Sequence, residues 1–134
     1  MIFMTNSEEL SIYDKWLELA TRADEITMVS PYFTFHDLLI EQCRLGKKLT
    51  LITTLRYPTQ PEILRRVFTE INVMYHAGAL HAKIYLFLKD QSAFAALIGS
   101  SNLTQNGFKT NLEANICVSE GRWCISPKII YDER

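Results

Sequence analysis

Three short runs of this sequence carry side chains able to handle a phosphate: His81-Ala82-Lys83, Gly99-Ser100-Ser101-Asn102 and Asn111-Leu112-Glu113. With the two-residue period of a strand, His81, Lys83, Tyr85 and Phe87 share one face, and Ala82, Ile84, Leu86 and Leu88 the other. Both faces are largely apolar, so the strand reads as central, and a central strand is a costly place for an unpaired ammonium. Lys83 is therefore expected at a strand end or against an anion, with His81 beside it. Imidazole and ammonium together at the edge of an α/β sheet, where such sheets usually place ligands, suit a phosphate. In the second run a strand enters glycine, which permits close backbone approach, and Ser100 and Asn102 follow as neutral donors. In the third, Glu113 is a candidate for orienting a histidine through its Nδ1 hydrogen. Each run has a plainer reading when taken singly: a lysine that snorkels to solvent, a common strand-to-helix turn, and a surface carboxylate paired with lysine.

The elements that must position these residues follow from hydrophobic periodicity and caps. Ser7, Glu8 and Glu9 are expected to open a helix with Leu10, Tyr13, Leu17 and Ala20 on one face. Residues 26–33 read as a buried strand stopped by Pro31, and Thr34 with Asp37 as the capping box of a second helix that Gly46 closes. A strand at 49–55 precedes a third helix opened by Thr59, Pro61 and Glu62. Further strands are expected at 71–75, 80–88, 94–98 and 112–118. Strands alternating with amphipathic helices predict an α/β fold, with a mixed, mostly parallel sheet sandwiched by helices. One domain over 1–134 is expected, with its core at about 7–118 and a C-terminal tail at 119–134.

Composition excludes more than it selects. The 134 residues include 14 Lys+Arg and 15 Asp+Glu, giving a net charge of −1, so any basic footprint for nucleic acid must be local. Arg56 and Tyr57 after the second strand, Lys109, and the rings of Tyr32 and Phe33 supply candidates for phosphate tracking and base stacking. Arg56 and Lys109 fit equally well as solvated loop charges. No apolar run approaches the roughly 20 residues of a membrane span, and the acidic N-terminus lacks the positive region of a secretion signal. Three cysteines, Cys43, Cys117 and Cys124, form no CxxC pair, so a disulfide scaffold and a zinc cluster are both unexpected and a reducing cytoplasm fits best. His36 and His76 read as structural or surface residues, and Cys117 as a small buried hydrophobe.

The wording His-Ala-Lys-Ile-Tyr-Leu-Phe, followed by Ile-Gly-Ser-Ser-Asn-Leu-Thr and then Asn-Leu-Glu, resembles the phospholipase D superfamily. It is most similar to the single-motif nuclease branch, which includes metal-independent restriction endonucleases. The resemblance implies a phosphodiesterase acting on DNA, with no metal, no other cofactor and no membrane partner. It implies His81 as the nucleophile and Glu113 as the group that holds its ring. Lys83 and Asn102 would clamp the non-bridging oxygens with support from Ser100. Members of the superfamily bring two motif copies to one site; this chain has one, so a homodimer sharing two His81 is implied, with the Tyr85/Phe87 face at the packing. The family's usual Asp, five residues after the Lys, is Leu88 here; Asp90 falls two residues late and is left out of the site. The other readings are a lipid or small phosphodiester hydrolase, a non-catalytic DNA-binding or dimerisation module, and a fragment of a larger protein.

Overall fold

The computed structural model describes residues 1–6 and 11–119. Seven strands and three helices run β1 (Ile2–Met4), α1 (Ile12–Arg22), β2 (Glu25–Val29), α2 (His36–Arg44), β3 (Lys48–Thr53), α3 (Pro61–Val67), β4 (Asn72–Tyr75), β5 (Ile84–Lys89), β6 (Ser92–Gly99) and β7 (Asn115–Ser119). A single π-type turn, Asn106–Thr110, lies between β6 and β7. All seven strands form one sheet in the order β1-β7-β6-β5-β2-β3-β4.

The α/β class and the mixed sheet are as expected, but the parallel share is small. Only β2 with β3 and β3 with β4 pair in parallel; the other four pairings are antiparallel. Connection length decides this. The stretches carrying α2 and α3 are long enough for parallel crossovers. The β5–β6 link is instead the two residues Asp90 and Gln91, both at positive φ (51° and 66°), as a tight hairpin requires. After β4 the chain has only residues 76–83 in which to return across the ends of β3 and β2 before β5 descends beside β2.

One sheet face builds the core. Cross-strand partners Ile26 with Phe87, Met28 with Tyr85, Tyr85 with Leu97 and Leu97 with Cys117 are all buried. Trp16 of α1 meets Phe87 edge-on at 5.7 Å, and Phe108 of the π-type turn meets Tyr85 at 5.3 Å. Leu38 and Leu39 of α2 and Leu64 and Val67 of α3 join the same cluster. The opposite face, including Ile84, Leu86 and Leu88, is only half-buried, and Ile98, Ile116 and Val118 are exposed there. Among the described residues the helices therefore cover one face, which corrects the expected sandwich and the doubly buried fifth strand. Tyr85 and Phe87 are consumed by the chain's own core and offer no face for packing a second copy.

Helix termini differ from the sequence reading in instructive ways. Ser11 caps α1 through a capping box with Asp14, and the buried stripe is Ile12, Trp16, Leu19 and Ala20, with Tyr13 and Leu17 at its margin. The proposed cap Ser7 lies outside the described residues, as does the tail from residue 120. Phe35 stands at the N-cap of α2 with no side-chain bond, so the Thr34/Asp37 box does not form; Asp37 lies 3.2 Å from His36 Nε2 instead. Gly46 follows α2 at φ 82°, as expected. Thr59 turns inward and accepts from Phe33 N–H at 2.6 Å, leaving Gln60 at the N-cap of α3. Cys43 is a free thiol, whereas the buried Cys117 is disulfide-bonded, which corrects its reading as a plain small hydrophobe.

Candidate functional site

The turn-back between β4 and β5 places His81 and Lys83. Both stand in extended chain just ahead of β5, at the edge where the parallel strands β2 and β3 end. That is the strand-end position expected for Lys83, which is only 8% exposed. Its Nζ donates to the His81 carbonyl at 2.9 Å and lies 3.3 and 3.4 Å from the two ring nitrogens. Among the described residues no carboxylate is within ion-pairing distance of it. Loss of solvent pushes its pKa below the ordinary lysine value, and the charge of Glu113 offsets part of that. The His81 ring itself is exposed.

The Gly-Ser-Ser-Asn turn is locked beside this pair from several sides. Gly99 N–H donates to the Lys83 carbonyl at 3.2 Å. A Cβ at Gly99 would collide with the Ala114 carbonyl and with Asn115, so only glycine allows β6 and β7 this approach. Ser100 is tied to the same strand: its N–H donates to Ala114 O at 3.0 Å and its Oγ accepts from Ala114 N–H at 2.9 Å. Buried Asn115 donates to Ser101 Oγ at 2.8 Å, and buried Tyr85 donates its hydroxyl to Ser101 O at 2.7 Å. Burial pushes the Tyr85 phenol far above its usual range, so it serves as a neutral donor. Ser30, after β2, accepts from Leu103 N–H at 2.8 Å and donates to Tyr32 O at 2.7 Å. Leu103 O in turn takes both Thr34 N–H and Phe35 N–H. Asn102 is left with its Oδ1 3.5 Å from Ser30 Oγ and its amide nitrogen without a partner among the described residues, a donor held ready.

The structure thus gathers His81 with Lys83, and Ser100 with Glu113, on strand ends joined through Gly99. It corrects one expected contact. The Glu113 carboxylate accepts from the Ser100 hydroxyl and, at 3.4 Å, from the Asn111 amide, and does not hold the His81 ring. The hairpin between β6 and β7 sets residue 113 against residue 100, so the nearest donor is a hydroxyl. Tyr32 and Arg56 are exposed on the loops after β2 and β3, at the same sheet edge. Lys109 is drawn elsewhere: its ammonium lies 4.4 Å from the Tyr13 ring centre and 5.4 Å from that of Phe35. Leu88 pairs with Glu25, and Asp90 sits in the hairpin turn, both at the opposite end of β5 from Lys83.

Ser30, Tyr85 and Asn115 are supports that sequence reasoning did not assign. Asn115 carried a signal, being an amide at the start of an otherwise apolar strand; Ser30 carried only its place before Pro31. Among the described residues no three His, Cys, Asp or Glu side chains come together as metal ligands. What this region of the sheet edge carries is an imidazole against a desolvated ammonium, an amide donor on the neighbouring turn and a hydroxyl backed by a carboxylate. That set can bind a tetrahedral oxyanion and present it to a nitrogen nucleophile.

The model of the NgoFVII restriction endonuclease N-terminal PLD domain family matches residues 60–125, which include all three motif runs. A search of curated proteins gives no match. Among solved structures the chain is similar to NucT from Helicobacter pylori, with a TM-score of 0.62 and 17% identity over 84% of this chain and 80% of that one. It is also similar to Nuc from Salmonella typhimurium, a phospholipase D family member (TM-score 0.61, 16% identity, 87% of this chain and 82% of that). Polyphosphate kinase from Porphyromonas gingivalis contains the same fold, at TM-score 0.63 and 17% identity, over 87% of this chain but 23% of the kinase. At these identities the shared property is the fold.

Proposed function

We infer, from its similarity to a restriction endonuclease PLD domain and to phospholipase D-type nuclease folds, that this chain is a phosphodiesterase that cuts DNA through a histidine nucleophile. The observation that carries the reading is the Lys83 ammonium: almost fully buried, touching His81, and with no carboxylate against it among the described residues. A dried cation of this kind calls for an anion from outside the chain. The motif-bearing half of the chain is the part similar to a restriction endonuclease domain, which favours DNA over lipid as the substrate.

In the proposed reaction an unprotonated ring nitrogen of His81 attacks phosphorus, the bond to the departing strand oxygen breaks, and a phosphohistidine forms. Lys83 Nζ and the Asn102 amide hold the non-bridging oxygens as charge builds on them; donors aimed in this way are typically worth about 2.7–4 kcal/mol each. The leaving oxygen needs a proton from the side opposite the attack. His81 of a second copy, related by a twofold axis, would supply it and then accept the proton of the water that opens the phosphohistidine. Lysine and amide donors take the Lewis-acid task, so the reaction is proposed to run without a metal ion.

The test is cleavage of a plasmid and of bis(p-nitrophenyl) phosphate in EDTA, by wild type and by His81→Ala. Turnover that persists in chelator and disappears in His81→Ala is expected. DNA binding without cleavage by the wild type would leave a non-catalytic module, and turnover lost to EDTA would refute the metal-free mechanism. Sedimentation of the active species tests the shared site: an active monomer removes the second imidazole.

A further inference from the structure

We propose that a hollow beyond the ends of β3 and β4 is a subsite for one unstacked nucleotide of the bound strand, so that the preferred substrate is single-stranded or locally opened DNA. This rests on the nucleic-acid reading above and goes beyond it. The hollow measures about 210 Å³ and is lined by Thr54, Leu55, Arg56, Tyr75, His76 and Ala77. That is below the roughly 300–1,000 Å³ of drug-sized sites and suits a single ring system.

Its walls are firm and its contents unspent. Thr53 pairs with Tyr75, and His76 N–H donates to Thr53 O at 2.9 Å, so the ladder continues to the mouth of the hollow. Tyr75 is 64% exposed, and Tyr57 at the next turn of the same loop cluster is 82% exposed. Large rings left this open at a concave, cation-bearing edge mark an interaction site more often than scattered surface residues do. The Arg56 guanidinium has no carboxylate partner among the described residues. Aromatic faces with an unpaired guanidinium recognise a base and its phosphate together; a lipid headgroup has no ring to stack.

Position makes the hollow part of one track with the catalytic pair. The loop that forms its wall at His76 delivers His81 five residues later, at most about 18 Å away even in extended chain. Across the sheet, β3 is two strands from β5, or about 10 Å. Duplex bases stack on one another and cannot also stack on Tyr75, whereas an open strand crossing this edge can turn one base into the hollow while its neighbouring phosphate meets Lys83.

Affinity for a fluorescein-labelled single-stranded oligonucleotide, and for its duplex, tests the proposal in wild type, Tyr75→Ala, Tyr57→Ala and Tyr75→Phe, each checked by thermal melting. Wild type is expected to favour the single strand. Loss of a stacking ring should weaken that binding about 5- to 150-fold, the worth of one base–aromatic stack. The duplex should be affected far less, and Tyr75→Phe should restore binding. Equal affinities in wild type and both alanine variants would overturn it, as would an unchanged duplex-to-single-strand ratio. Each protein in the binding series also carries His81→Ala, so that binding is read without turnover and the subsite stands or falls separately from the activity, which bis(p-nitrophenyl) phosphate hydrolysis by the wild type decides.

Discussion

Ser100 donates its hydroxyl to Glu113 across the β6–β7 connection while accepting from Ala114 N–H, so the carboxylate is spent on the turn that carries Asn102. Glu113 reaches Lys83 only as a charge. Glu113→Gln keeps an acceptor for Ser100 but removes that charge. The alkaline limb of turnover set by Lys83 should then move to lower pH, because the influence that raises its pKa is gone. Ser100→Ala should loosen the turn, lower stability by about 1 kcal/mol and leave the limb closer to its wild-type place. Paired pH–rate profiles and urea unfolding separate the two.

Lys83 should write its environment into the pH dependence of both activity and stability. Its pKa is lowered from 10.5, chiefly by loss of solvent. Turnover that needs the ammonium should fall as pH rises through the lowered value, before an ordinary lysine would titrate. Stability should move the other way. The unfolded chain holds more protons than the folded one between the lowered value and 10.5, so unfolding free energy should rise with pH across that window. Lys83→Arg, which keeps its charge past pH 12, should remove the alkaline limb even as its bulk lowers the rate. A limb that survives in Lys83→Arg would assign it to another group.

Tyr85→Phe tests the support beneath the Gly-Ser-Ser-Asn turn. It removes the donor to Ser101 O and leaves a buried carbonyl short of a partner, at a cost of about 1–3 kcal/mol. Because the same turn presents Asn102, kcat should fall with the stability while the fold remains. Equilibrium unfolding and steady-state kinetics measure the two together.

Gly99→Ala should be far worse than its single methyl suggests. The methyl has nowhere to go except into the Ala114 carbonyl and Asn115, which are backbone and buried amide and cannot swing aside. Loss of soluble protein, or a melting temperature many degrees lower, is expected. Ala95→Gly at another buried position of β6 should be milder, costing about 0.5–1 kcal/mol through backbone freedom.

Much of the site was legible because its residues obey simple placement rules. A lysine in an apolar strand had to meet an end or an anion, and it meets an end, with no carboxylate paired to it among the described residues. Gly99 was readable as a close approach, although the partner strand was not. Strand direction is not carried by period-two patterns, which are the same in parallel and antiparallel strands. The two-residue gap at Asp90–Gln91 and the eight residues 76–83 were the available signals, both too short for a crossover. The partner of Glu113 is not legible because alternation places a side chain on a face without saying which donor reaches it first. Ser30 was missed because a hydroxyl that braces a turn looks, in sequence, like any serine before proline. Lys109 shows the converse: a loop cation that suits phosphate on paper is held by the rings of Tyr13 and Phe35.

A cation that the fold has dried without neutralising will take whichever oxyanion the solution offers. Sulfate, phosphate or vanadate in a storage buffer should therefore occupy the place beside Lys83, raise the melting temperature by mass action and slow turnover over the same range of concentration. Preparations compared across buffers should then differ in how many molecules already hold an oxyanion.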